Sequence, residues 1–90
     1  MNILWDQSKN EWLVINRGIS FEEISDRLIK GDYIDILENP TRKDQNYFIM
    51  EINHYTWVVP FIVDDNGQVI LKTAFPSRKL YKKYGKDENK

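Results

Sequence analysis

Residues 17–23 read Arg17-Gly18-Ile19-Ser20-Phe21-Glu22-Glu23, the end of one helix and the start of another. Gly18 can take the left-handed conformation that closes many helices. Ser20 and Glu23 stand at capping-box spacing, so the hydroxyl can accept the Glu23 amide while the carboxylate reaches back. Upstream, Asp6 is placed to accept from the free amides of a first helix over about residues 7–17, which sets Leu13 beside Arg17 and Trp12 beside Ile15. Ile3-Leu4-Trp5 before it reads as a short strand. Downstream, Phe21, Ile24 and Leu28 share one face of the second helix, and Gly31 stops it.

Beyond Gly31 the pattern turns to sheet. Residues 33–37 form a first candidate strand, and a polar loop containing Pro40 follows. Residues 47–52 alternate Phe48, Met50 and Ile52 against Tyr47, Ile49 and Glu51, as a half-buried strand does. A turn at Asn53-His54 or His54-Tyr55 leads into residues 56–63, whose β-branched and aromatic residues on both faces predict a central strand. Pro60 argues the other way, because it has no N–H and favours edges or bulges. Asp64-Asp65-Asn66-Gly67 marks a hairpin in which Asn-Gly takes positive φ. Residues 68–75 form the last strand, Pro76 ends it, Ser77 caps, and residues 78–84 make a short basic helix. The predicted class is α+β, with two N-terminal helices packed on a small antiparallel sheet in a two-layer arrangement. Residues 1–86 form one domain, and residues 87–90 are expected to be a disordered tail. Trp5, Trp12 and Trp57 are expected in the helix–sheet core.

The chain has 90 residues, 41% apolar and 30% charged, which suits a single small globular domain. The apolar stretch 57–63 is far short of a bilayer span, and the first residues lack a basic, apolar leader. Neither a membrane protein nor a secreted one is expected, which leaves the cytoplasm. Without cysteine and with His54 as the one histidine, no disulfide, thiolate nucleophile or histidine-cluster metal site is available.

The net charge of −1 hides an asymmetry. Residues 1–71 hold six Lys/Arg against twelve Asp/Glu, whereas residues 72–86 hold Lys72, Arg78, Lys79, Lys82, Lys83 and Lys86 with no acid. Such an ending is either a solvated helix or a basic face. No phosphate-binding glycine loop, dinucleotide fingerprint or nucleophile elbow is present. Tyr81 and Tyr84 lie among the lysines, and cations beside flat rings suit single-stranded RNA: phosphates are held by Lys/Arg and bases stack on tyrosine. RNA carries its own 2′-hydroxyl nucleophile. A ribonuclease without metal or other cofactor therefore needs a base, a cation over the phosphorane and a proton for the leaving oxygen.

Four pieces together resemble the BrnT family of bacterial type II toxins, small proteins with a RelE-like ribonuclease fold. They are Trp5-Asp6-Gln7-Ser8-Lys9-Asn10; the junction Arg17-Gly18-Ile19-Ser20-Phe21-Glu22-Glu23; the sheet placed after both helices; and Lys72-Thr73-Ala74-Phe75-Pro76-Ser77-Arg78-Lys79 running into Lys82-Lys83-Tyr84. Arg17 stands where many relatives have histidine, and Phe75 where many have arginine, for which Arg78 would substitute. The resemblance implies messenger-RNA cleavage that arrests translation. It also implies a ribbon-helix-helix antitoxin of the CopG or BrnA type that alone brings the complex to DNA.

On this reading Lys72 and Arg78 stabilise the phosphorane, with Tyr81 and His54 as proton carriers. Arg17, Lys79, Lys82, Lys83 and Tyr84 bind RNA, and Glu51 either orients Lys72 or Arg78 or faces water. A turn histidine exposed to solvent is the plainer account of His54. The alternative function is a non-catalytic domain that docks a CopG-like partner on its basic face. A DNA-binding module in its own right is disfavoured, because the basic residues are few and terminal.

Overall fold

The structure, a computed structural model, describes residues 2–85; the expected tail at 87–90 and the domain limit at 86 lie outside them. Strand β1 covers Ile3–Trp5, and Asp6 then accepts the Ser8 N–H at 2.9 Å to open helix α1, Gln7–Arg17. Gly18 closes α1 at φ 67°, its N–H donating to the Val14 carbonyl. Ser20 Oγ accepts the Glu23 N–H at 3.1 Å at the start of α2, Phe21–Ile29.

The carboxylate that meets α1 at this junction is that of the exposed Glu22, which accepts from Asn10 Nδ2 at 2.7 Å. Asn10 Oδ1 in turn accepts the Phe21 N–H at 2.7 Å. A buried asparagine thus ties the middle of α1 to the first turn of α2 and satisfies a donor that the helix start leaves unpaired.

The sheet continues with β2 (Asp35–Glu38), β3 (Asn46–Ile52), β4 (Tyr55–Val63), β5 (Val69–Leu71) and β6 (Phe75–Pro76), followed by helix α3 (Arg78–Tyr84). The strand order is β1-β5-β4-β3-β2, with β6 also paired to β4. The β1–β5 pair is parallel and the others are antiparallel. The expected single last strand is therefore two.

Pro60 accounts for the break. Its carbonyl accepts the Lys72 N–H at 2.9 Å, so its missing donor points to that same side. Phe61 pairs with Leu71 and Val58 with Phe75, a step of three residues on β4 against four on the partner. The extra residue is a bulge, which lets a proline sit in a central strand. Pro76 does not end the strand but pairs with Trp57, and the Ser77 N–H donates to the Thr56 carbonyl at 3.0 Å.

One sheet face carries Phe48, Met50, Trp57, Val59 and Phe61, packed on Leu13, Phe21, Ile24 and Leu28. On the opposite face Ile49 and Val58 are buried where α3 lies on β4. The α+β class holds, but α3 adds a partial third layer, and β3 is buried on both sides at its centre rather than half-buried.

Trp12 departs from its expected place: it is 41% exposed, because α1 turns Asn10 and Leu13 inward. Lys9 Nζ and the Arg17 guanidinium lie 4.3 and 4.8 Å from its ring centre.

The hairpin turns also trade roles. Asn53 and His54 both have positive φ (53° and 65°), whereas only Gly67 does so in the next connection. There the Asp64 carboxylate accepts the Asn66 and Gln68 N–H groups at 2.9 and 2.8 Å, so Asn66 is spared the left-handed conformation.

Candidate functional site

Helix α3 begins at Ser77, whose hydroxyl accepts the Leu80 N–H at 3.2 Å. At 100° per residue, Leu80, Tyr81 and Tyr84 share the arc toward the sheet, and Arg78, Lys79, Lys82 and Lys83 share the exposed one. Arg78 and Lys79 occupy the first turn, which contains no acid. Cations there oppose the helix dipole, so helix stability does not explain them.

Lys72 lies at the bulge opposite Pro60, where strand alternation assigns it to the α3 side of the sheet. Among the described residues, no ion pair engages Lys72 or any of the four α3 cations. Of the two readings of Glu51, no ion pair with Lys72 or Arg78 is formed among the described residues, and Glu51 Oε2 lies 3.9 Å from His54 Nδ1.

At the foot of α3 a cleft of about 430 Å³ is bounded by Glu51, His54, Tyr55, Thr56, Tyr81 and Tyr84. It brings together three of the sequence-predicted residues: His54, Tyr81 and Tyr84. The Tyr55 and Tyr81 rings stack with centroids 4.4 Å apart and 16° between planes. Tyr84 Oη donates to Asp35 Oδ2 at 3.0 Å, and this bond to the carboxylate raises the Tyr84 phenol above its usual pKa.

A raised phenol pKa means that the folded protein holds the proton more tightly than the unfolded chain. The bond's contribution is therefore complete below the ordinary phenol pKa and lost as pH rises through the folded value. The difference in melting temperature between the protein and Tyr84→Phe is expected to hold from neutral pH up to the ordinary phenol pKa of about 10 and to shrink above it. A constant difference would contradict this.

The His54 side chain is 98% exposed while its backbone sits in the left-handed region. Such a residue costs about 1 kcal/mol relative to glycine, partly offset by glycine's greater unfolded-state freedom. His54→Gly is expected to raise the melting temperature slightly; a fall of several degrees would show that the side chain holds the turn.

Arg17 is not part of the α3 face. Its guanidinium donates to the Ala74 carbonyl and lies over Trp12, so it ties the end of α1 to the bulge. Sequence reasoning missed Tyr55 as a site residue and Asn10 as the junction lock. The sequence reading left Tyr55 at the turn before the strand at 56–63, and nothing local marks Asn10 as buried. Among the described residues no group of three His, Asp or Glu could hold a metal ion, and no helix is long and apolar enough to cross a membrane.

Neither a family model nor a curated protein matches the sequence. Among solved structures, the 1.1 Å crystal structure of the Brucella abortus ribonuclease toxin BrnT is similar, with a TM-score of 0.64 at 20% identity. The match covers 86% of this chain and 96% of that one. At that identity the likeness is one of architecture, and the strand and helix arrangement assembled above is the fold of BrnT.

Proposed function

We propose that the protein is an endoribonuclease toxin that cleaves single-stranded messenger RNA. The observation that carries this reading is the fold shared with a ribonuclease toxin, in a chain whose α3 exposes Arg78, Lys79, Lys82 and Lys83 on one arc. The RNA supplies the nucleophile: its 2′-hydroxyl loses a proton and attacks the adjacent phosphorus, the 5′-oxygen leaves with a proton, and a cyclic phosphate remains. Arg78 and Lys72 stabilise the charge that builds on the phosphorane oxygens. Tyr81 and His54, at the mouth of the cleft, move the protons. Lys79, Lys82 and Lys83 hold neighbouring phosphates, Tyr84 lines the path of the strand, and Arg17 extends the grip beyond the bulge.

A protein with this activity needs a silencing partner in the cytoplasm. The partner proposed is an antitoxin of the ribbon-helix-helix (CopG or BrnA) type, through which alone the complex reaches DNA. An acidic segment of such a partner would cover the same cations.

The test is incubation of the purified protein with single-stranded RNA in excess EDTA, beside induction in growing cells. Cleavage in the chelator together with growth arrest is the expected result. Intact RNA and undisturbed growth would overturn the reading.

A further inference from the structure

A groove of about 380 Å³ opens at the head of α3 and shares no residue with the tyrosine cleft. Helix α3 has seven residues, about 10 Å, and covers only part of the sheet face beneath it. Beyond its first turn Leu37, Tyr47, Val58 and Phe75 form a floor, and Leu80 forms a wall. The register builds that floor: Leu37 pairs with Tyr47, Tyr47 with Pro60, and Val58 with Phe75. Leu37, Tyr47, Phe75 and Leu80 are only half-buried, so no part of the described chain covers this apolar surface. Lys79 stands on the α3 rim. Lys72, whose N–H donates to the Pro60 carbonyl, closes the row at the end away from Leu37. Neither lysine has an ion pair among the described residues. The β2 rim carries Glu38 instead.

We infer that this groove seats an acidic amphipathic helix of a partner protein. The inference names the contact by which the partner proposed above engages the basic face, and it rests on that reading. Apolar side chains from one face of the helix enter over Leu37, Tyr47 and Phe75, and carboxylates beside them meet Lys79 and Lys72. An RNA strand fits less well. Glu38 repels phosphate at the β2 rim, the floor is aliphatic and aromatic, and the Ser77 hydroxyl already accepts the Leu80 N–H, so few groups remain to bond the edge of a base. An added strand fits less well too. On the edge strand β2 the Ile36 N–H is taken by Asp35 Oδ1 at 2.8 Å and is not offered to a newcomer.

The experiment is fluorescence anisotropy of the full chain with a labelled helix-forming peptide that carries leucine at i, i+3 and i+7 and glutamate on the flanking positions. The same peptide with alanine for leucine is expected to bind about tenfold more weakly, the order of one apolar side chain left exposed. Leu37→Ala is expected to weaken the leucine peptide by a similar factor. Should that variant melt well below the parent, Lys79→Glu, exposed on the rim, makes the same test by repelling the glutamates, with a loss of about tenfold. No binding of the leucine peptide at millimolar concentration, equal binding of the two peptides, or undiminished binding to both variants would each overturn the assignment. So would an oligouridylate whose affinity falls as far as the peptide's on Leu37→Ala, since the groove would then belong to RNA. Cleavage is not the readout. A protein that cleaves RNA but ignores the peptide keeps the toxin reading and loses the groove; a protein inert toward RNA that binds the peptide through its leucines does the reverse.

Discussion

Arg78→Ala is expected to slow RNA cleavage by about 100- to 1000-fold, the usual cost of removing one preorganised charge from a developing oxyanion. Growth arrest on induction should disappear with it. The same change should leave the melting temperature unchanged or slightly higher, because Arg78 is exposed and sits at the positive end of α3, where a cation is unfavourable. That split between activity and stability separates a functional role from a structural one.

Arg78→Lys keeps the charge but loses the planar fork that holds two phosphate oxygens at once, and it should recover only part of the rate. Lys83→Ala, further along the exposed arc, should weaken RNA binding and its salt dependence more than the chemical step. If Arg78→Ala cleaves RNA at the full rate and loses only its hold on an antitoxin, the basic face is a docking surface and the catalytic assignment is wrong.

Asn10→Ala carries the largest expected loss of stability. Asn10 is 3% exposed and serves two partners: it accepts the buried Phe21 N–H and donates to Glu22, both at 2.7 Å. Truncation leaves the Phe21 amide without a partner inside the fold, at a cost of about 1–3 kcal/mol, and opens a small void beside Leu13 and Phe21. A total near 3 kcal/mol lowers the melting temperature of a domain this size by roughly 12–24 °C.

Glu22→Ala should cost far less, since the Glu22 side chain is exposed and water can replace it. In a double-mutant cycle the two changes should couple by about 0.5–1 kcal/mol. A melting temperature for Asn10→Ala within a few degrees of the parent would show that the interhelix bonds are incidental.

The two predictions rest on residues of different visibility. Arg78 stands out in the sequence, because acid vanishes from residues 72–86 and helical spacing alone sorts the cations from Leu80, Tyr81 and Tyr84. Asn10 does not stand out. Its neighbours Lys9 and Glu11 are charged, and only the return of α2 across α1 buries it.

The helix boundaries were open to sequence reading because caps act within a few residues: Asp6 on Ser8, Ser20 on Glu23, Ser77 on Leu80, and Gly18 in the left-handed conformation. The cleft was not. Tyr55 and Tyr81 meet only because the bulge opposite Pro60 and the β6 pairing carry α3 back across β4. Glu51 faces His54 because the tight turn falls at Asn53-His54 rather than one residue later.

Sequence by itself thus determined the α+β class, the helix limits, the turns at Asn53-His54 and residues 64–67 and the gathering of cations in the last elements, since each depends on periodicity or on bonds between near neighbours. Tertiary structure alone decided the split of the last strand, the outward turn of Trp12, the third layer made by α3 and the cleft beneath it. These depend on register, where one extra residue sends every following side chain to the opposite face.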